Sequence, residues 1–209
     1  MVELIPSETA LLIVDAQNAF CHPDGTLGRS GVDVAPLAAV VPGIARLVRL
    51  CEAHGIPTIY TLHTNHLVDE GRNRHRIAPH TAKRATVACQ PGSWDAEFVD
   101  ELGALVTPSS HVIEKHRWSA FYGTRLDPLL NILGTRLLIV CGTTTNACID
   151  STVRDAYMRD YDVVVPRDCV AGVRQDWHDA ALGVLAHYAG EVVALSEVAA
   201  QLAPEGARA

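Results

Sequence analysis

Residues 136–148 read Arg136-Leu137-Leu138-Ile139-Val140-Cys141-Gly142-Thr143-Thr144-Thr145-Asn146-Ala147-Cys148. The apolar run at 136–140 does not alternate with polar residues, which is the pattern of a parallel strand covered on both faces. Beyond the glycine and the threonines, Ile149, Val153, Ala156 and Tyr157 recur at helical spacing, and Asp150 can pair with Arg154 at i,i+4. A buried strand that feeds a helix through a short polar turn is the repeating element of α/β folds.

The same alternation extends in both directions. Strand-like runs lie at 10–14, 57–62, 111–114, 162–165 and 191–195. A helix is expected where Pro42 precedes Ile44, Ala45, Val48 and Cys51, with Gly55 closing it. Another is expected where Trp177, Ala181, Val184, Leu185 and Tyr188 mark an apolar stripe. These elements predict an α/β fold: a doubly wound, mainly parallel, six-stranded sheet with helices on both faces. The stretch from Thr64 to Gly92 has no clear period, which in a compact domain marks a functional or partly helical connection. Residues after Leu202 are expected to fray.

Composition bounds the function. The 209 residues suit one domain spanning 1–209, and 48% hydrophobic with 20% charged residues excludes disorder. The formal charge of -7 argues against a general nucleic-acid or anionic-membrane binder. No apolar run approaches the roughly 18 residues that span a bilayer. Met1 to Ser7 carry no basic residue before an apolar core, so no signal peptide is read and a cytoplasmic protein is expected. The six cysteines form no C-x-x-C pair, against zinc-ribbon or thioredoxin chemistry, and in that compartment a disulfide framework is not expected.

In open α/β sheets ligands bind beyond the carboxyl ends of the strands. Three strand ends carry reactive groups: Asp15 after the first strand, Lys115 at the third, and the Gly142–Cys148 segment after the fourth. Cys148 falls in the first turn of a helix, where free N–H groups and the dipole favour a thiolate and can serve a developing oxyanion. A nucleophile, an acid and a lysine are sufficient for covalent acyl transfer, although each residue type alone also serves as a cap, a turn or a solvated surface group. Cys141, inside a strand, reads as inert core, and Cys21, in the loop after Asp15, has no helix terminus to activate it.

Gly142-Thr143-Thr144-Thr145-Asn146-Ala147-Cys148-Ile149, taken with Val14-Asp15-Ala16-Gln17-Asn18 and Lys115, resembles the isochorismatase-like cysteine hydrolases. The likeness runs from about Ala10 to about Val198. It implies a Rossmann-like, isochorismatase-type fold with Asp15 as general base, Cys148 as nucleophile and Lys115 beside them. It also implies a cis peptide between Thr143 and Thr144 that aims the Thr144 and Cys148 N–H groups at the substrate oxygen. Gln17, Asn18, Phe20, His63, Trp118 and Phe121 are assigned on this basis to the substrate pocket, although Trp118, Phe121 and Tyr122 equally suit core packing.

Finer likeness points to a reaction. Gly92-Ser93-Trp94-Asp95, Val99-Asp100-Glu101-Leu102, Arg117-Trp118-Ser119-Ala120-Phe121, Thr124 with Leu126-Asp127, and the run from Thr145 to Asp155 are similar to the ureidoacrylate amidohydrolases. N-carbamoylsarcosine amidase and biuret hydrolase share this framework, and all cut the C–N bond of a ureido or carbamoyl group. The resemblance thus implies a cysteine-dependent amidohydrolase acting on a small amide or ureide through a covalent acyl-enzyme. No cofactor is required, and a homo-oligomer, dimer or tetramer, is expected. His63 stands where the ureidoacrylate enzymes carry a pocket Asn, so the substrate stays open.

Nicotinamidases of the superfamily bind a divalent ion through an Asp-x-His pair after the second strand. Here Thr61-Leu62-His63 keeps the His and lacks the Asp, so no metal is assigned, although His63, His66, His75 and His80 crowd one stretch. A metal-dependent amidase and a non-catalytic thiol sensor remain as alternatives. Between Thr64 and Arg84, Arg72, Arg74, Arg76, Lys83 and Arg84 outnumber Asp69 and Glu70, a local surplus of +3. That segment reads either as a basic lid for an anionic substrate tail or as a solvated or subunit-contact loop.

Overall fold

Every residue of Thr9–Val14 is buried, and this segment forms β1, the centre of a parallel sheet. The structure, a computed structural model, describes residues 2–66 and 87–203. The remaining strands are β2 (Thr58–His63), β3 (His111–Lys115), β4 (Leu137–Thr143), β5 (Asp162–Pro166), β6 (Val170–Ala171) and β7 (Glu191–Val193). Their order is β3-β2-β1-β4-β5-β7, with the two-residue β6 paired to the end of β4. Among the described residues the sheet therefore has seven strands rather than six, and all their pairings are parallel.

Nine α-helical segments connect the strands within the described residues. They are α1 (Asn18–Cys21), α2 (Thr26–Arg29), α3 (Ala35–Ala39), α4 (Val41–Ala53), α5 (Asp100–Gly103), α6 (Leu126–Leu133), α7 (Asp150–Tyr157), α8 (Gln175–Tyr188) and α9 (Leu195–Leu202). Two buried clusters divide along the alternation of the strands. Leu11, Ile13, Tyr60, Ile139 and Cys141 pack with Ile44, Val48 and Cys51 of α4 and Val198 of α9. Ala10, Leu12, Val14, Ile59 and Val140 pack on the other face with Leu130 of α6, Val153 of α7 and Leu185 of α8. Helices thus cover both faces, as a doubly wound sheet requires.

Three local expectations are corrected. The last strand ends at Val193 rather than Leu195, because the Glu197 carboxylate accepts a hydrogen bond from the Ala194 N–H and starts α9. In α8 only Leu185 is fully buried, with His178, Ala181 and Leu182 partly buried beside it, so the expected Ala181 and Leu185 face inward while Trp177, Val184 and Tyr188 are exposed. Tyr157 likewise faces solvent. Of the 64–92 stretch, the two ends are described and tied together: Asn65 N–H donates to Cys89 O and its side-chain amide to Ala88 O. Residues 67–86 and 204–209 lie outside the described residues, and with them His75, His80 and the basic residues Arg72, Arg74, Arg76, Lys83 and Arg84.

Candidate active site

The strand order reverses between β1 and β4: the chain builds β2 and β3 on one side of β1, then crosses to place β4 on the other. Val14 is in register with Thr61 of β2 and Gly142 of β4, so the residue after it stands at the crevice where ligands bind in such sheets. That residue is Asp15. It takes φ +49, a left-handed conformation that aspartate tolerates better than most residues, and the strand ends there. Gly142 has φ +116, and a Cβ on it would sit 2.1 Å from Val14 O, so only glycine lets β4 approach β1 this closely. The Thr143–Thr144 peptide that follows is cis.

Cys148 lies in a π-helical turn, Thr145–Ile149, rather than in the first turn of an α-helix. The turn closes on Thr144 O, which accepts from Ala147 N and Ile149 N. Its start is held by the Thr145 hydroxyl at 2.8 Å from His178 Nδ1 of α8. Lys115, at the end of β3, reaches this crevice across β2. Its Nζ is 2.6 Å from Asp15 Oδ2 and 3.6 Å from Cys148 Sγ, and it donates to Arg117 O at 3.0 Å. His63 Nδ1 lies 3.5 Å from the same ammonium, which fixes that nitrogen as the acceptor. Asp15, Lys115 and Cys148 are thus gathered in one buried cluster although 133 positions separate the first from the last.

The hydroxyls of two threonines complete the frame. The Thr61 hydroxyl donates to Asp15 Oδ1 at 2.6 Å and accepts from Asp15 N–H at 3.1 Å. The Thr143 hydroxyl donates to Asp15 O at 3.0 Å, which ties the β1 and β4 ends to each other. Sequence reasoning missed both. Thr61 entered it only as the residue that stands in place of an aspartate.

Burial pushes the Cys148 thiol up to about 12, against the pull of the Lys115 charge, and the Asp15 charge adds to the rise. Loss of water thus outweighs the neighbouring charge at this sulfur, which is the state from which a base has a proton to take. Lys115 is drawn down by burial but raised on balance by Asp15, so it stays cationic. Cys21, near Thr143 and Asp15, is likewise pushed up to about 12, chiefly by burial.

The expected pocket residues divide. Gln17 is a buried clamp: its amide donates to His63 O and Ala96 O, and its carbonyl accepts from His63 N–H. Asn18 donates to Trp94 O and is buried as well. Both side chains are committed to backbone, which leaves them supports of the crevice wall. Phe20 meets the His63 ring edge-on at 6.2 Å. Phe121 is buried in the cluster that contains Cys148, stacked on Tyr161 and beneath the Arg159 guanidinium. Trp118 is half-exposed at 50%. Among the described residues no three His, Cys, Asp or Glu side chains converge as metal ligands. Thr61, with its hydroxyl engaged by Asp15, does not suit the ligand position that an aspartate would fill. A cavity of about 430 Å³ lined by Leu62, Glu97, Phe98 and Asp100 holds none of these groups.

An isochorismatase domain model matches residues 9–197. The chain is 36% identical to ureidoacrylate amidohydrolase RutB of Methylobacterium radiotolerans, over 95% of this chain and 80% of that protein. It is 36% identical to the protein of the same name from Acinetobacter baylyi, over 77% of this chain and 69% of that one. Among solved structures, a cysteine hydrolase from Pseudomonas syringae pv. phaseolicola superposes with a TM-score of 0.81 at 26% identity, covering 97% of this chain and 95% of that one. N-carbamoylsarcosine amidase from Thermoplasma acidophilum superposes with a TM-score of 0.70 at 24% identity, over 90% and 96% of the two chains, a likeness of fold. With the family model spanning all seven strands and the three gathered side chains, the chain belongs to the isochorismatase family.

Proposed function

We propose that the chain is a cysteine-dependent amidohydrolase that cleaves the C–N bond of a small ureido or carbamoyl compound. The observation that carries this reading is the buried Lys115 ammonium lying between Asp15 and the protonated thiol of Cys148 at the crevice of the sheet. As the substrate carbonyl meets the sulfur, Asp15 takes the thiol proton and the C–S bond forms. The Thr144 and Cys148 N–H groups hold the oxyanion. Collapse breaks the C–N bond, and Asp15 passes its proton to the leaving nitrogen. Water, deprotonated by Asp15, then adds to the thioester or thiocarbamate, and Cys148 departs with the proton restored. Lys115 keeps Asp15 ionised between steps and fixes its orientation. His63, 3.5 Å from that ammonium, donates a hydrogen bond to the substrate or to a water in the pocket. The relatives named ureidoacrylate amidohydrolase support the ureido class. The exposed Trp177, Val184 and Tyr188 of α8 suit a homo-oligomer, and the chain acts as one cytoplasmic unit over 1–209.

The test is ammonia release from ureidoacrylate, biuret and nicotinamide by the purified protein and by Cys148→Ala. Turnover of a ureide that Cys148→Ala abolishes, with mass-detected acylation of Cys148 alone, supports the reading. A Cys148→Ala protein that keeps more than a few per cent of the rate overturns it.

A further inference from the structure

The Thr61 hydroxyl makes two contacts with one residue, and that residue is the base. It donates to Asp15 Oδ1 at 2.6 Å and accepts from Asp15 N–H at 3.1 Å. We infer that Thr61 is a positioning residue for Asp15: it holds one carboxylate oxygen while Lys115 holds the other, and so fixes the direction from which the Cys148 proton is taken.

The geometry makes the two holds complementary. Lys115 Nζ lies 2.6 Å from Oδ2 as an ion pair, and the Thr61 hydroxyl donates to Oδ1 at 2.6 Å, so each oxygen has its own short contact. A carboxylate held at one oxygen only can still rotate about its Cβ–Cγ bond, whose torsion is broad and shallow. A second donor on the other oxygen removes that freedom. The backbone contact matters as much. Asp15 sits at φ +49, beyond the last β1–β2 pair of Val14 with Thr61, where its N–H has left the strand ladder. The Thr61 hydroxyl takes up this N–H, so one side chain steadies both the backbone and the carboxylate of the base. Thr61 and Asp15 are both fully buried, and no water competes for these contacts.

Removing the hydroxyl leaves the carboxylate without its set direction, which lowers the rate of proton transfer in acylation and leaves substrate binding largely as it was. A residue that merely filled space beneath the site would not produce that effect, reversed by serine, with a native melting curve.

This inference rests on Asp15 being the base, so the experiment keeps the two apart. Thr61→Val, Thr61→Ala, Thr61→Ser and Asp15→Asn are compared with the parent by steady-state hydrolysis of ureidoacrylate. The same set is scored by the pH dependence of Cys148 alkylation with iodoacetamide, which needs no substrate. Thr61→Val is expected to lose about 10–100-fold in kcat with a smaller change in KM, the loss of one charge-assisted hydrogen bond. Thr61→Ser, which restores the donor, is expected to recover to within about threefold of the parent. Thr61→Ala carries the same expectation as Thr61→Val, so misfolding of one leaves the other to decide. Parent-like kcat in the folded hydroxyl-less variant overturns the role of Thr61, and so does a Thr61→Ser enzyme as slow as Thr61→Val. An active Asp15→Asn enzyme would instead overturn the reading of Asp15 itself.

Discussion

Five buried thiols make the fold sensitive to alkali. Cys21, Cys51, Cys148 and Cys169 are pushed up to about 12, each chiefly by burial, and Cys141 is raised well above its ordinary value of 9.0. Below about pH 8 the folded and unfolded chains both hold these protons, and the cysteines add little pH dependence. From there to about pH 12 the unfolded thiols ionise while the folded ones do not, so the unfolded chain binds fewer protons and stability falls as pH rises. Each thiol contributes a slope of about 1.4 kcal/mol per pH unit in that window. At pH 10 the five together remove about 7 kcal/mol, comparable to the whole stability of an ordinary domain. Urea denaturation followed by circular dichroism, under a phosphine reductant at pH 8, 9 and 10, should show little loss at 8, about 2 kcal/mol at 9 and near-complete unfolding by 10. Cys51→Ala should relax the slope by one thiol's share. A stability at pH 10 within about 1 kcal/mol of that at pH 8, or a parent-like slope in Cys51→Ala, would refute the reasoning.

Gly142→Ala should cost more than about 3 kcal/mol or prevent folding, because its Cβ would meet Val14 O at 2.1 Å at φ +116; a near-parental melting temperature would contradict this. Gln17→Ala should lower stability in urea by about 2–4 kcal/mol, since it strips three buried hydrogen bonds from His63 and Ala96, and should raise KM as His63 loosens. A loss under about 0.5 kcal/mol would show those groups re-paired. Hydrolysis should survive prolonged chelation, because Thr61 binds Asp15 where an aspartate ligand would be needed; activity lost to chelator and regained with Zn²⁺ or Mn²⁺ would count against it.

The sheet was legible because its central strands are apolar on both faces: Thr9–Val14 and Leu137–Thr143 have no exposed residue, and short unbroken apolar runs between turn residues are the pattern of covered parallel strands. β6 was not, since two residues carry no period. The stripe on α8 was misjudged because large size at Trp177 and Tyr188 outweighed the polar His178, whose inward position depends on a partner, Thr145, 33 residues earlier. The motif residues Asp15, Lys115 and Cys148 stand at strand ends, where spacing and resemblance both point, and the structure brings them together. Their supports were hidden. Thr61 and Gln17 act through cross-strand register, and register is a property of pairs of strands rather than of either alone. The burial of Cys148 was hidden for a related reason: a local helix start can be seen in sequence, whereas burial by distant elements cannot.

The knot at Asn65 and Cys89 has an evolutionary consequence. Asn65 binds the backbone at Ala88 and Cys89, and the Asp95 carboxylate accepts from Cys89 N–H and from the Thr26 N–H and hydroxyl. Every one of these bonds ends on a main-chain group at 88 or 89 or on Thr26, so the closure is specified by the side chains of Asn65, Asp95 and Thr26. Selection on it therefore falls on three positions far apart in the sequence rather than on the residues whose main chain they hold.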